Sequence, residues 1–308
     1  MGVSAEQIKK VKGQGFLYNR GSDGLFSCRV ITGNGVLTSE EMAWVCEAAE
    51  RYGAGKVAMT TRLTVELPGV PFDNIEPLRE FLAQKGLVTG GTGAKVRPVT
   101  ACKGTTCVFG NADTQGLAQE IHERFYVGYG NVKLPHKFKI AVGGCPNNCM
   151  KPDLNDVGIV GVNAPQFIAE ECKGCKKCAV EDTCPMHAAK VVDGKLSIDH
   201  AICNSCGRCV DKCYFKAMGK GEKGFVIYLG GRWGKQIQRG IPLPTPYRQE
   251  ELFDVVEMAL LLFCEQGKPG ERFASMVERL GIEYFEKEFA SKEVLKRKEQ
   301  IIQEHPLA

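Results

Sequence analysis

No stretch of this 308-residue chain is long and apolar enough to cross a bilayer. The longest uninterrupted apolar run is Met258 to Cys264. A spanning helix needs roughly 20 such residues, so membrane insertion is not expected. The leading segment, Met1 to Lys12, is polar and lysine-bearing and lacks the apolar centre of a secretory signal. The expected compartment is therefore the cytoplasm. Histidine is scarce: His122, His136, His187, His200 and His305 are the five, and none is spaced as a metal-ligand pair. The two tryptophans, Trp44 and Trp233, read as packing residues. Charge of one sign is also lacking. Forty Lys and Arg stand against 36 Asp and Glu, a net +4 that is too slight to imply nucleic acid. Buried cations then have anionic small ligands as their best use. With 44% hydrophobic and 25% charged residues, the chain can build one large or two smaller ordinary cores without covalent staples.

Cysteine is what the chain has in excess. Twelve of its fifteen cysteines fall into tight groups: Cys102 and Cys107, Cys145 and Cys149, Cys172, Cys175, Cys178 and Cys184, and Cys203, Cys206, Cys209 and Cys213. A reducing compartment disfavours disulfides, so the groups point to metal. Twelve thiolates make three sets of four, and a [4Fe–4S] cluster takes four. Cys28, Cys46 and Cys264 stand apart and read as small buried apolar residues.

Hydrophobic periodicity divides the chain. A strand with a glycine turn is expected over 24–36, then a helix opened by a Thr38/Glu41 capping box. A strand over 56–67 and a helix capped at Asp73 with Glu76, ending at Gly86, complete a small α/β lobe over 1–93. Gly90 to Gly93 reads as a hinge. A second domain, over 94–165 and 219–308, is expected to hold strands at 138–142, 157–162 and Phe225 to Leu229. Its helices are expected from Asp113 to Phe125 and over 249–265, 270–280 and 283–303. Between its two parts, 166–218 has few apolar runs and eight cysteines, and reads as an inserted module held by metal rather than by a core.

The insert contains C-x2-C-x2-C-x5-C-P from Cys172 to Pro185 and C-x2-C-x2-C-x3-C from Cys203 to Cys213. In two-cluster ferredoxins the fourth ligand comes from the other repeat. The expected sets are thus Cys172, Cys175, Cys178 with Cys213, and Cys203, Cys206, Cys209 with Cys184. The alternative is zinc, which prefers tetrahedral four-cysteine sites and fits two tandem C-x2-C-x2-C runs poorly. The job of such a module is one-electron relay.

The remaining pairs lie in Ala101-Cys-Lys-Gly-Thr-Thr-Cys107 and Gly143-Gly-Cys-Pro-Asn-Asn-Cys149. With Thr60-Thr61-Arg62-Leu63, Asp156 to Gly161, Gly230-Gly231-Arg232 and Gly270 to Phe273, they resemble the siroheme-binding nitrite/sulfite reductase family. The likeness runs from Asp23 to Phe285 outside the insert. It departs in the first pair, where C-x4-C replaces the commoner C-x5-C. The resemblance implies an α+β fold: a ferredoxin-like N-terminal lobe, a siroheme/[4Fe–4S] α/β domain and an inserted bacterial-type 2[4Fe–4S] ferredoxin module. It implies siroheme and three [4Fe–4S] clusters. Cys102, Cys107, Cys145 and Cys149 then hold one cluster, and Cys149 bridges to the siroheme iron.

The same resemblance assigns Arg62, Arg97, Lys137 and Lys139 to the substrate. Independently of it, strand alternation puts residues 137 and 139 on one face as a paired cationic wall. Arg29 and Arg232 are candidates for siroheme carboxylates, and Gly143 and Gly144, with Gly230 and Gly231, for close backbone approach. His136 could assist proton delivery. The expected activity is six-electron reduction of sulfite to sulfide in an anaerobic setting. The alternatives are reduction of nitrite to ammonia, or a non-catalytic iron–sulfur electron-transfer subunit. The electron donor is external, a ferredoxin or a reductase subunit. A single repeat implies a homodimer or higher homo-oligomer.

Overall fold

The computed structural model describes residues 3–244 and 246–307. Its N-terminal part runs α1 (Ala5–Lys12), β1 (Phe16–Tyr18), β2 (Leu25–Val30), α2 (Ser39–Tyr52), β3 (Ala58–Met59), β4 (Val65–Pro71) and α3 (Ile75–Ala83). The strands form an antiparallel sheet in the order β1-β2-β4-β3. Phe16, Phe26, Val30, Leu67, Val45, Leu78 and Leu82 fill the core between sheet and helices. Helix α2 has the expected capping box: Thr38 Oγ1 accepts the Glu41 N–H at 3.1 Å, and Glu41 accepts the Thr38 N–H at 2.7 Å. Trp44 stacks on Phe81 at 4.2 Å, and its indole N–H donates to the Phe81 carbonyl.

Several sequence expectations need correction here. The strand expected over 56–67 is two strands, β3 and β4, joined by a tight turn at Thr60–Thr64. Leu63 there adopts φ 58, a left-handed conformation uncommon outside glycine. Asp73 does not cap α3; a 3-10 turn at Phe72–Asn74 leads into it, and Glu76 pairs with Arg79 instead. The strand over 24–36 stops at Val30, leaving only a Gly33–Val36 bridge. Cys46 is exposed, not buried, although Cys28 and Cys264 are buried as expected.

The second part contains β5 (Thr100–Ala101), α4 (Thr114–Ile121), β6 (Ile140–Gly143) and β7 (Val157–Ala164). The chain then passes through α5 (Ala179–Thr183) and the hairpin β8 (Ala189–Val192) and β9 (Lys195–Ile198). It returns with β10 (Glu222–Leu229) and β11 (Ile241–Pro242), and closes with α6 (Gln249–Gln266), α7 (Phe273–Leu280), α8 (Ile282–Ser291), α9 (Glu293–Lys296) and α10 (Lys298–Glu304). The sheet order is β11-β10-β7-β6-β5, with β5, β6 and β7 mutually parallel. Helix α6 carries the apolar run Met258 to Cys264 into the core, where it meets Val142, Ile159 and Ile227. No helix among the described residues is long and apolar enough to cross a membrane.

Strands β7 and β10 pair antiparallel along their full length, from Val157↔Leu229 to Ala164↔Glu222. The segment between them therefore leaves and rejoins the sheet at one end of a single ladder. Its own buried core is four residues, Val180, Ala189, Leu196 and Met218, with Cys172, Cys178, Cys184, Cys209 and Cys213 packed around them. So small a core cannot order a segment of this length without staples.

The helix expected to reach Phe125 is α-helical only to Ile121 and continues as a π-helix over His122–Val127. The helix expected over 283–303 is α8, α9 and α10, broken at Lys292, where φ is 55. Trp233 is 57% exposed rather than packed. Gly230 and Gly231 serve protein packing: a Cβ on Gly230 would meet Val277 at 2.9 Å, and one on Gly231 the Asp153 carbonyl at 2.3 Å.

Candidate functional site

Because β5 and β6 are parallel, the segments following them emerge side by side, where parallel sheets place their sites. Cys102 follows β5, and Cys145 follows β6. The Cys102 N–H donates to the Val142 carbonyl at 3.1 Å, locking the two segments together. Cys102, Cys107, Cys145 and Cys149 all line one largely apolar cavity of about 640 Å³. Cys149 is exposed, while the other three are partly buried. Burial pushes the Cys145 thiol up, opposed by the Asn147 N–H and reinforced by the neighbouring sulfurs of Cys102, Cys107 and Cys149. The N–H groups of Gly144 and Gly104 lie 3.2 and 3.4 Å from Cys102 Sγ. Gly143 and Gly144 line the cavity, and a Cβ on Gly144 would meet Cys102 Sγ at 3.5 Å. Gly104, which sequence reasoning passed over, has φ 54, and a Cβ there would strike Thr114 Oγ1 at 2.6 Å.

A second small cavity is lined by Cys184, Cys203, Cys206 and Cys209, the crossed set expected for one of the two ferredoxin-type sites. Burial and the charges of Cys203, Cys206 and Cys184 push the Cys209 thiol up to about 11. At Cys184 burial works against ionisation, yet four backbone N–H groups, from Ala189, Met186, Ala188 and His187, outweigh it and lower the thiol. Cys172 receives N–H groups from Leu196 and Gly174, which also lower it. Such donors suit thiolates, which bind metal only when deprotonated. Among the described residues no three His, Cys, Asp or Glu side chains meet closely enough to hold a single metal ion. Four thiolates around the first cavity are a donor set that fits an iron–sulfur cluster.

The opposite ends of the same strands carry the cations. Arg29, Arg62, Arg97, Lys137 and Lys139 line one pocket of about 240 Å³, together with Lys12 and Thr64. Lys137 and Lys139 precede β6 rather than lie in it, but the backbone alternates as a strand does. Phe138 between them is fully buried against Phe263 and Phe273, so both lysines face away from the core. The Thr60–Thr64 turn projects Arg62 from the N-terminal lobe into the second domain. There its guanidinium donates to Asn155 Oδ1 and the Pro98 carbonyl, both at 2.6 Å. Arg97 donates to the carbonyls of Gly91 and Gly93, which fastens the glycine segment read as a hinge. The Nε atoms of Arg62, Arg97 and Arg272 are buried without a partner among the described residues.

Crowded cations in a shielded pocket lose basicity. Burial, against the pull of Asp156, lowers Arg62 to about 10. Burial and the charge of Arg29 lower Arg97 to about 10. Burial and Arg62 lower Lys139 to about 8. Lys137 and His136 are lowered too, by burial first and then by Arg272. Sequence reasoning missed the counter-charge. Asp156 is fully buried; its carboxylate accepts the Lys139 N–H at 2.8 Å and Arg272 at 3.3 Å. A lone Asp in a glycine-rich strand motif gives no signal of its own, because its partners lie 17 and 116 residues away.

The cysteine and cation sites have a third cavity as a common neighbour. That cavity, of about 210 Å³, is lined by Met150 of the cysteine cavity and by Arg62 and Lys139 of the cationic pocket, with Trp233 and Lys151 at its side. Arg29 lies in the cationic pocket and pairs with Glu66 at 3.1 Å. Arg232 stays outside it, close enough for its charge to act on His136 and Lys137.

Residues 92–298 match the model of the nitrite and sulphite reductase 4Fe-4S domain, and residues 19–85 match that of the nitrite/sulfite reductase ferredoxin-like half domain. The chain belongs to the nitrite and sulphite reductase family. It is 32% identical over 280 residues to the coenzyme F420-dependent sulfite reductase of Methanocaldococcus jannaschii, covering 90% of this chain but 44% of that protein. It is 26% identical over 270 residues to the dissimilatory-type sulfite reductase beta subunit of Nitratidesulfovibrio vulgaris, covering 78% of this chain and 71% of that one. The crystal structure of dissimilatory sulfite reductase I superposes with a TM-score of 0.69 at 22% identity, over 86% of this chain and 69% of the other, a likeness of fold.

Proposed function

We propose that this chain is the siroheme-carrying subunit of a sulfite reductase that reduces sulfite to sulfide with six electrons, relayed through three [4Fe–4S] clusters. The observation that carries this reading is a four-cysteine cavity and a pocket walled by Arg62, Arg97, Lys137 and Lys139, with a third cavity that shares Met150 with the first and Arg62 and Lys139 with the second. The relative matching 90% of the chain is a sulfite reductase. Cys102, Cys107, Cys145 and Cys149 would hold the inner cluster, with exposed Cys149 turned to the siroheme iron. Cys172, Cys175, Cys178 and Cys213 would hold one ferredoxin-type cluster of the insert, and Cys184, Cys203, Cys206 and Cys209 the other. Arg29 and Arg232 would pair with siroheme carboxylates, and Gly144, where a Cβ would meet Cys102 Sγ at 3.5 Å, would admit the cluster closely, with Gly143 beside it in the cavity lining.

When bound, siroheme and its joined cluster supply the electrons and the iron on which the anion is reduced. The protein supplies fixed positive charge. Arg62 and Arg97, anchored through their Nη atoms, hold fixed positive charge in the pocket they line, so little reorganisation is needed when an oxyanion binds. Lys137 and Lys139 give protons from Nζ to oxygens that leave as water. A group lowered to about 8 donates readily near neutral pH. Electrons come from an external ferredoxin or reductase subunit, and the single repeat acts as a homodimer or larger homo-oligomer in the cytoplasm.

The visible spectrum of anaerobically purified protein tests the reading. A chlorin-type Soret band with a long-wavelength band is expected; an iron–sulfur shoulder alone, in protein made with siroheme available, would overturn it. Cys149→Ser should abolish the coupled heme signal and turnover, and retained activity removes the bridging assignment. Nitrite is the competing anion, and a higher kcat/KM for nitrite than for sulfite would reassign the substrate.

A further inference from the structure

The two cysteine sets of the insert differ in position. The Cys184, Cys203, Cys206 and Cys209 set abuts the main sheet. Asn163 of β7 bridges to Cys206, and its N–H donates to the Ser205 carbonyl at 2.8 Å. Asn111 ties two sites at once: its Nδ2 donates to the Cys206 carbonyl at 3.3 Å, and its N–H to the Gly144 carbonyl, next to Cys145, at 2.8 Å. The Arg208 guanidinium lies 4.8 Å from the ring of Phe109, which lines the Cys102/Cys107/Cys145/Cys149 cavity. This set is therefore the inner one.

The Cys172, Cys175, Cys178 and Cys213 set is wrapped by exposed side chains instead. Lys173, Lys176 and Lys177 interleave its first three cysteines, and Lys212 and Lys216 flank the fourth; all five lysines are exposed. Tyr214 is 89% exposed and meets Phe215, itself 41% exposed, edge to face at 5.2 Å. Adjacent exposed aromatics inside a cationic rim have the make-up of an interface centre and its margin.

We propose that Lys176, Lys177, Lys212, Tyr214, Phe215 and Lys216 form the surface through which electrons enter the chain, by docking a small acidic one-electron protein. The proposal rests on reading the two insert sets as clusters. The lysines favour an acidic occupant: Lys173, Lys176, Lys177, Lys212 and Lys216 are exposed around the four cysteines, with Glu170, Glu171, Asp182 and Asp211 exposed at their margins. A second copy of this chain, itself net +4, would meet like charge. In the docking step the carrier is oxidised by one electron and the Cys172/Cys175/Cys178/Cys213 site is reduced by one. No atom or proton moves.

The test uses the full chain with its cofactors, with reduced plant-type ferredoxin as the acidic probe and dithionite-reduced methyl viologen as a small reductant. The variants are K176E/K177E and K212E/K216E. Anaerobic stopped flow follows bleaching of the iron–sulfur absorbance, and calorimetry follows ferredoxin binding at low and high salt. Charge reversal should weaken binding by about tenfold or more and slow bleaching by ferredoxin, with bleaching by methyl viologen unchanged. Variants that bind and bleach as the parent does overturn the docking surface, as does equal slowing with both reductants. If the parent does not bind ferredoxin, and the variants instead dissociate an oligomer in sedimentation, the face belongs to a second copy and the proposal fails. Iron and sulfide content separates the two levels: a parent lacking the insert clusters refutes the reading beneath, not the docking.

Discussion

Lys139 occupies a place where positive charge is hard to keep. Burial and the neighbouring Arg62 lower it from 10.5 to about 8, with only Asp156 in opposition among the larger influences. Between those values the unfolded chain binds a proton that the folded protein does not, so this residue's contribution to stability improves as pH rises through that window. Anion binding needs the opposite form. The kcat/KM for sulfite should therefore fall as pH rises through about 8, and Lys139→Arg should move that falling limb upward. A limb unmoved by the substitution would assign it to another group. In the proposed reaction Arg62 would work by fixed geometry instead, held by Asn155 and Pro98. Arg62→Ala should cut turnover by about 10² or more, the range for removing one preorganised donor. Iron and sulfide content should stay at the parent level, and loss of iron would mean a structural role.

At the scale of elements, the turn between β3 and β4 has a functional consequence. Splitting the expected strand lets Thr60–Thr64 reach across to the second domain, and Leu63 accepts a left-handed backbone to make the turn. The β7–β10 ladder does similar work by opening a strand pair just where the insert can leave and return. If the insert is a relay, Cys206→Ser should slow turnover driven by a protein donor yet leave siroheme bound. Loss of the heme spectrum in that variant would show that the insert supports the main site structurally. Helix α2 offers a plain stability check: Thr38→Ala removes the reciprocal cap and should cost about 1 kcal/mol in denaturant unfolding of the lobe.

For the whole molecule, the three cysteine sets predict about twelve cluster irons and about twelve acid-labile sulfides per chain, with siroheme iron in addition. Chemical quantitation of the anaerobically purified protein measures this directly, and eight or fewer sulfides would remove at least one site. The cationic pocket lies at one end of β5 and β6 and the inner cysteines at the other, with the insert leaving β7 at the cysteine end. A cysteine-lined cavity and a cationic pocket are thus kept apart by two short strands, with a third cavity bordering both.

The cysteine spacing alone points to metal, since three thiolates within one short loop have few other uses. The capping box of α2 and the apolar run of α6 were equally legible, because their partners lie within a few residues of one another. Alternation around Phe138 was enough to set Lys137 and Lys139 on one face, even outside a regular strand. Other features needed the fold. Asp156 became the counter-ion of the cationic pocket only when Arg272 was brought to it from across the chain, and Gly230 and Gly231 turned out to serve packing. Cys46 and Trp233 were misjudged because helical spacing and residue type report a preference for burial, not the presence of a neighbour. Which insert set faces inward was likewise decided by tertiary contact, through Asn111 and Asn163. Local spacing encodes ligand sets and caps, whereas burial, counter-charge and the order of sites depend on groups distant in sequence that only the folded chain brings within reach.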